Sequence, residues 1–356
     1  MDRRLLLSAL LPTLLLSCSV LDGDTAPSGP DSPISFAVAN TALTRGSVIS
    51  GTVFPTSESF RVFAWQTDGG VTSVLMGSEP TDVESNVVSN TTGQWAPRKR
   101  YYWPDGDETT VSFYAVYPKD YSVTRSGSTY TVDFTIPSSV SDQKDMMVAR
   151  SENLLLSATT GGAAPLQFSH ILSQVAFKGR LAGSYTGWRV SVGSLRLCNV
   201  NSRGVYTFGT AAVTPATPAV LQDYQFPLAS ASVTLTDAEE AVSLSDPSGP
   251  ALLMPQSLTG WDRTMETSGS ATPITSGCYL AVGCTITDAE GTLAWTGNVY
   301  VPFADTWEPS LSYTYTLSFG CGYTADGTIS VAYVSLESAE ISDWSPKTPV
   351  TPSLEI

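Results

Sequence analysis

Apolar and polar positions alternate in short stretches along most of this chain, and the stretches are separated by Gly, Pro, Asn, Asp and Ser. A period of two predicts half-buried strands. The first is Ile34-Ser35-Phe36-Ala37-Val38-Ala39, with Ile34, Phe36 and Val38 on its inward face. Residues 60–65 (FRVFAW), a weak strand at 71–76 inside an otherwise irregular 66–94, 111–118, 130–136 and 146–149 follow. Tyr101-Tyr102-Trp103-Pro104 and 111–118, with Asp105-Gly106-Asp107-Glu108 between them, read as an aromatic hairpin. Residues 157–165 (SATTGGAAP) read as a linker, and strands follow at 166–178, 188–192, 194–198, 232–235, 251–254, 278–287, 293–302, 311–319 and 328–336. No window keeps a helical apolar period with caps. Short strands at regular spacing with turn signals predict an all-β chain of β-sandwiches. The linker divides it into an N-terminal sandwich over 34–160 and a C-terminal one over 161–356.

The segment ahead of the first strand has a different character. Arg3 and Arg4 precede an apolar run over 5–16 that ends in Leu15-Leu16-Ser17-Cys18. A positive start, a short apolar run and a small residue before the cut describe a secretory signal peptide over 1–17. The run is shorter than the ~20 apolar residues a membrane span takes. Cys after Leu-Leu-Ser is the bacterial lipobox pattern, so Cys18 is read as the lipidation site and mature N-terminus. The alternative is an ordinary signal peptide that happens to contain a Cys. Residues 18–33, rich in Pro, Gly, Ser and Asp, form a flexible tether.

Composition narrows the function. Net charge is -15, so phosphate is repelled and no nucleic acid partner is expected. His170 is the single His, which argues against His-based triads and His-rich metal sites. It shares a face with Phe168 and Leu172 and reads as a buried structural residue. Beyond Cys18 the cysteines are Cys198, Cys278, Cys284 and Cys321, with no C-x-x-C spacing. Cys278 and Cys284 lie in one strand ~20 Å apart, too far to bridge each other. Each is left with Cys198 or Cys321 as a partner, or stays a thiol. The carboxylates Asp105/Asp107/Glu108 and Asp237/Glu239/Glu240 have the residue types for glycoside hydrolysis, but they sit in turn-like stretches with no nucleophile constellation beside them. No catalytic residue, metal or cofactor is expected.

Several local patterns are more specific: Tyr102-Trp103-Pro104, Phe113-Tyr114-Ala115-Val116-Tyr117-Pro118, Asp145-Met146-Met147-Val148-Ala149, and Phe168-x-His170-x-Leu172-Ser173-Gln174-Val175. Leu252-Leu253-Met254-Pro255-Gln256 and Trp307 through Tyr313-Thr314-Tyr315-Thr316-Leu317 complete the set. In this order, behind a lipobox, the chain resembles the fimbrillin family of Bacteroidales, the subunits of type V pili. The resemblance covers nearly all of the chain after Cys18. It departs at Ser310, where Gly is expected in the tight turn after Trp307.

The resemblance implies two consecutive transthyretin-like Greek-key β-sandwiches and an outer-membrane lipoprotein precursor held by Cys18. It implies trimming by an Arg-specific protease in the loop after the first strand, and Arg45-Gly46 has that placement. Arg98-Lys99-Arg100 is also basic but precedes a core strand. Loss of the strand bearing Ile34, Phe36 and Val38 opens a groove that another pilin subunit's strand fills, so that head-to-tail contacts propagate as an adhesive extracellular fimbrium. Ile329, Val331 and Tyr333, within the alternating 329–336, mark the candidate donor. The other reading of that stretch is the last strand of the second sandwich. The alternative function is a surface glycan-binding lipoprotein that stays lipid-anchored, for which Trp188 and Trp261, beside Gly, are the aromatics expected to be exposed.

Overall fold

The structure is a computed structural model and describes residues 32–40, 54–77, 84–182, 185–237, 240–261, 277–320, 322–323, 329–330 and 334–343. The chain is all-β. The first sheet runs in the order β1 (Ser35–Asn40), β10 (Ala163–His170), β9 (Met147–Leu154), β6 (Thr110–Tyr117), β2 (Ser59–Asp68), β4 (Val87–Ser89), β5 (Ala96–Pro97), with β3 (Val71–Met76) also on β2. A second sheet is β14 (Ala212–Pro215), β13 (Arg203–Thr207), β8 (Thr129–Thr135), β7 (Val123–Ser126). A third is β15 (Leu221–Gln225), β12 (Arg189–Asn201), β20 (Tyr279–Thr287), β21 (Leu293–Pro302), with β16 (Val233–Leu235) on β12. A fourth is β17 (Val242–Ser243), β11 (Ser173–Leu181), β23 (Leu311–Phe319), β26 (Val334–Leu336), with β18 (Ala251–Leu253) on β11 and β27 (Glu340–Asp343) on β23. Two small pairs, β19 (Ser257–Leu258) with β22 (Asp305–Thr306) and β24 (Gly322–Tyr323) with β25 (Ile329–Ser330), complete the described strands.

Two strands at the centre of the first sheet explain the rest. β2 and β6 read as near-continuous apolar runs because both of their faces are buried. One face, with Phe60, Val62, Phe113 and Ala115, lies in a core shared with β1, β9 and β10. The other, with Phe63, Trp65, Tyr114 and Val116, joins a second core that continues through β11, β12, β20 and β23. The second sheet covers this other face: Tyr130 of β8 stacks on Tyr114 with centroids 3.9 Å apart, and Trp65 packs on Tyr130 at 4.8 Å.

This arrangement changes the expected organisation in three places. The boundary drawn after residue 160 falls ahead of β10, yet β10 pairs with β1 and β9 and belongs to the first sheet. The turn from first half to second comes instead at Ile171-Leu172, between β10 and β11. The halves also interlock, because β13 and β14, from beyond residue 200, extend the sheet begun by β7 and β8. Finally, 101–103 does not form a hairpin with β6. It turns to the N-terminal segment, where Ile34 N–H donates to Tyr101 O at 2.9 Å and Trp103 N–H to Ser32 O at 3.0 Å. β6 is already paired on both edges, with β2 and β9, and has no room for it.

Candidate functional site

β1 closes the first sheet on itself. On one side it runs parallel to β10, Phe36 opposite Ala164 and Val38 opposite Leu166. On the other side Phe36 N–H donates to Trp95 O at 2.9 Å, next to β5. The strand therefore sits in a slot with backbone partners on both edges. Its side chains follow the period of two: Ile34 and Phe36 are buried, Val38 is half-buried, and Ala37 and Ala39 are exposed. The Phe36 ring meets Phe113 edge-on at 5.5 Å, and Trp103 backs Phe113 at the same distance. Trp103 donates its Nε1–H to Gly162 O at 2.9 Å. Gly162 has φ +79°, and a Cβ there would lie 3.0 Å from Pro33 O, so a side chain would press on the entry to the slot.

Sequence reasoning placed Ile34 and Phe36 inward but missed the walls. Phe54, Trp95, Trp103 and Phe168 come from separate segments that no local pattern links. Arg45, Gly46 and Cys18 lie outside the described residues. Arg98, Lys99 and Arg100 are exposed.

The opposite end of the chain is held differently. β26 and β27 lie along β23 as an edge strand broken by a bulge, Leu336 opposite Leu317 and Glu340 opposite Thr314. Val334 is buried, Leu336 is half-buried, and Glu340, Ile341, Ser342 and Asp343 are all exposed. Two surface ion pairs clip the segment, Arg180–Glu337 at 2.5 Å and Lys178–Glu340 at 3.1 Å. Within the stretch expected as one strand over 328–336, Ile329 belongs to β25, paired with β24, and β26 pairs with β23. Val331 and Tyr333 lie outside the described residues.

Three of the motifs behind the resemblance, those bearing Asp145, His170 and Trp307, meet at the turn between β10 and β11. His170 is buried, its Nδ1 within 3.0 Å of Asp145 Oδ1, the geometry of an N–H donated to a carboxylate. Ser310 donates its hydroxyl to His170 O at 2.6 Å and its N–H to Leu172 O at 2.9 Å. Its φ is +63°, the left-handed conformation for which Gly was expected. Ser173 Oγ donates to Glu308 O, Trp307 Nε1–H to Tyr315 Oη, and the Tyr315 hydroxyl to Asp305 Oδ2. Leu252 N–H donates to Gln143 Oε1, and Gln256 Nε2 to Asn201 O. These side chains direct their polar atoms to one another and to nearby backbone, as packed polar groups do.

The remaining candidates separate. Asp105, Asp107 and Glu108 are exposed on a turn, as are Asp237 and Glu240, while Glu239 lies outside the described residues. Among the described residues no group of three or more His, Cys, Asp or Glu is placed to hold a metal ion. Cys198, Cys278 and Cys284 are buried free thiols, and Cys321 lies outside the described residues. Cys198 stands opposite Tyr279, so Cys278, one residue on, points to the other face of the sheet. Trp261 is buried and Trp188 half-buried against Tyr185, which corrects the expectation that both are exposed. Among the described residues no helix is long and apolar enough to cross a membrane.

Comparison with known proteins agrees with this architecture. A family model described as fimbrillin-like matches residues 44–344. A fimbrial protein from Bacteroides vulgatus is similar at a TM-score of 0.57 and 14% identity, over 88% of this chain and 99% of the other. A Bacteroides uniformis protein assigned to cell adhesion gives 0.45 and 15%, over 88% and 100%. The tip fimbrial protein Mfa3 from Porphyromonas gingivalis, truncated at its C-terminus, gives 0.33 and 10%, over 86% and 99%. At such identities the first likeness bears on the fold alone. No curated protein sequence matches the chain.

Proposed function

The chain belongs to the fimbrillin-like family, and from that premise we propose that it is a subunit of a surface fimbrium, made as a lipid-anchored precursor and assembled by strand exchange. It is a structural protein, not an enzyme. In this reading Cys18 carries the lipid that tethers the precursor to the outer membrane. An Arg-specific protease cuts at Arg45-Gly46, in the segment joining β1 to Phe54. The freed β1 leaves its slot, and a strand of another pilin subunit enters.

The observation that carries this reading is the ring-closing position of β1. It has backbone partners on both edges and buries Ile34 and Phe36. Its loss opens two edges and an apolar trough together, and an extended segment with alternating apolar residues satisfies both. We nominate Ile329, Val331 and Tyr333 with their continuation as the donor, because β27 is exposed throughout and detaches without opening a core.

The test treats lipid-free precursor with an Arg-specific protease and follows size by gel filtration and electron microscopy. Cleaved protein should grow into filaments, Arg45→Ala should stay monomeric, and a chain ending before residue 329 should be cut yet fail to grow. A protein cut cleanly at Arg45 that stays monomeric at high concentration refutes the polymerising role.

A further inference from the structure

Strand edges recruit strands unless something prevents it. β21 is the outer strand of the third sheet, and among the described residues 293–299 pair with β20 alone. The strand is ten residues long, Leu293-Ala294-Trp295-Thr296-Gly297-Asn298-Val299-Tyr300-Val301-Pro302, and carries no charge. Most other edges among the described residues are short or charged. β27 has Glu340 and Asp343, β15 has Asp223, and β7 has Arg125. β14 has four residues and ends in Pro215; β3 is also uncharged and exposes Val71 and Val74, but it has six residues against the ten of β21. In a chain of net charge -15, a long uncharged edge stands apart. It is also apolar where it is open: Leu293 is 59% exposed and Trp295 is half-buried.

We infer that this edge is a lateral contact with β21 of a second copy of the chain, the two strands antiparallel about a two-fold axis at Thr296. Thr296 then faces its own copy, and Trp295 of each chain faces Gly297 of the other. Residues two apart share a sheet face, so each of these pairs falls on one side. The register keeps the contact within the run that pairs with β20 alone. It also sets Trp295 opposite Gly297, over which the chain's own indole lies, a Cβ there falling 3.1 Å from Trp295 Cζ2. Gly297 has φ +153°, a backbone conformation that L side chains rarely adopt. The one irregularity, a bulge at Ala294, lies at the end of the strand.

Charge selects the occupant. A strand bearing carboxylates has no cation to meet along β21, whereas a second β21 brings only uncharged residues to the joint. The copies repel at long range because each carries -15. Salt screens that repulsion, so this contact tightens as ionic strength rises, the reverse of an ion-paired interface. The contact is isologous and closes as a pair. It uses neither β1 nor the 329–343 segment, so it joins chains side by side whether or not they exchange strands.

The experiment is analytical ultracentrifugation of the lipid-free, uncut full-length chain, from micromolar to several hundred micromolar, at low and high salt. With β1 in place, strand exchange is absent and cannot produce the result. Wild type should dimerise reversibly, more tightly at high salt. Thr296→Lys sets two ammonium groups face to face at the axis and should raise the dissociation constant at least about tenfold. Thr296→Glu should do the same, and mixing the two variants should restore a heterodimer. Protection of β21 amides from hydrogen exchange that grows with wild-type concentration is the second measurement, which holds even where a variant fails to fold. Four results overturn the inference: a wild type monomeric throughout, a dimer indifferent to both substitutions, a mixture no tighter than its components, or a dimer loosened by salt.

Discussion

Replacing Phe36 by Ala should destabilise the chain by about 3–5 kcal/mol, the usual range for a buried Phe. Phe36 is 4% exposed. Burial of such a side chain contributes about 1.5–3 kcal/mol. The edge-on contact with Phe113 at 5.5 Å adds about 0.5–1.5 kcal/mol. The cavity term is then close to its full value, because the walls are large rings, with Trp103 fixed to Gly162 O and unable to close in. Val38→Ala should cost clearly less, since Val38 is only half-buried. Ala37→Thr, on the exposed face of the same strand, should stay within about 0.5 kcal/mol. Urea unfolding followed by Trp fluorescence measures all three, and an unchanged m-value certifies that stability alone has moved. If Ala37→Thr costs as much as Phe36→Ala, β1 is out of register by one residue and the slot is not the cavity described. If Phe36→Ala costs under about 1 kcal/mol, β1 is not part of the core, and its removal leaves nothing for another strand to fill.

Two further predictions address the interior. Burial pushes the Cys198 thiol from the ordinary 9.0 to about 11 and the Cys284 thiol to about 12. A raised thiol pKa means the folded state holds its protons longer than the unfolded one. These groups' share of stability is therefore complete below pH 9 and is lost as pH rises toward 11 and 12. Denaturation midpoints should fall from about pH 9 upward, and a thiol reagent at pH 8 should label the unfolded chain while sparing all three described cysteines in the folded one. At Ser310, Ala should be worse than Gly. Ser310→Ala keeps the left-handed backbone and loses the bond to His170 O, for about 1–2 kcal/mol, while Ser310→Gly loses the bond but relieves the backbone and should come out near zero. Equal thermal shifts for the two variants would show that the turn is unstrained.

What was legible in the sequence follows from which faces are buried. β21 and β23 appear with the bounds that alternation and flanking turns predict, 293–302 and 311–319. β2 and β6 were recognisable as strands from aromatic and β-branched runs, although burial on both faces erases their alternation. β7, β13, β14 and β15 were missed because their sequences, VTRS, RGVYT, AVTP and LQDYQ, are four or five residues long with few large apolar side chains, and all but β13 are mostly exposed. Their pairing is long-range and leaves no local period to read. The division at residue 160 failed for a related reason. SATTGGAAP has linker composition, but its last three residues begin β10, whose partner β1 lies more than 120 positions earlier. His170 was legible as structural from its apolar face. Its partner Asp145, 25 residues away, was not.

The candidate site divides along the same line, and the division bears on how exchange would run. Alternation marks both terminal segments as candidates, and packing distinguishes how firmly the described part of each is held. β1 buries two large side chains between two backbone partners. The described C-terminal segment, β26 and β27, buries Val334 alone, has one partner in β23, and leans on exposed ion pairs at Glu337 and Glu340. Such surface pairs contribute little, whereas each additional large side chain buried is worth about 1.5–3 kcal/mol. In the proposed exchange, a donor leaving β23 moves from a site whose described residues bury Val334 and half-bury Leu336 to an emptied slot shaped for Ile34 and Phe36, between partners on both sides. The gradient runs toward assembly only once the slot is empty. While β1 stays attached, its own chain fills the slot at an effective concentration no neighbouring subunit can match. In the proposed assembly, cleavage of the segment joining β1 to Phe54 is thus the step that would remove this advantage.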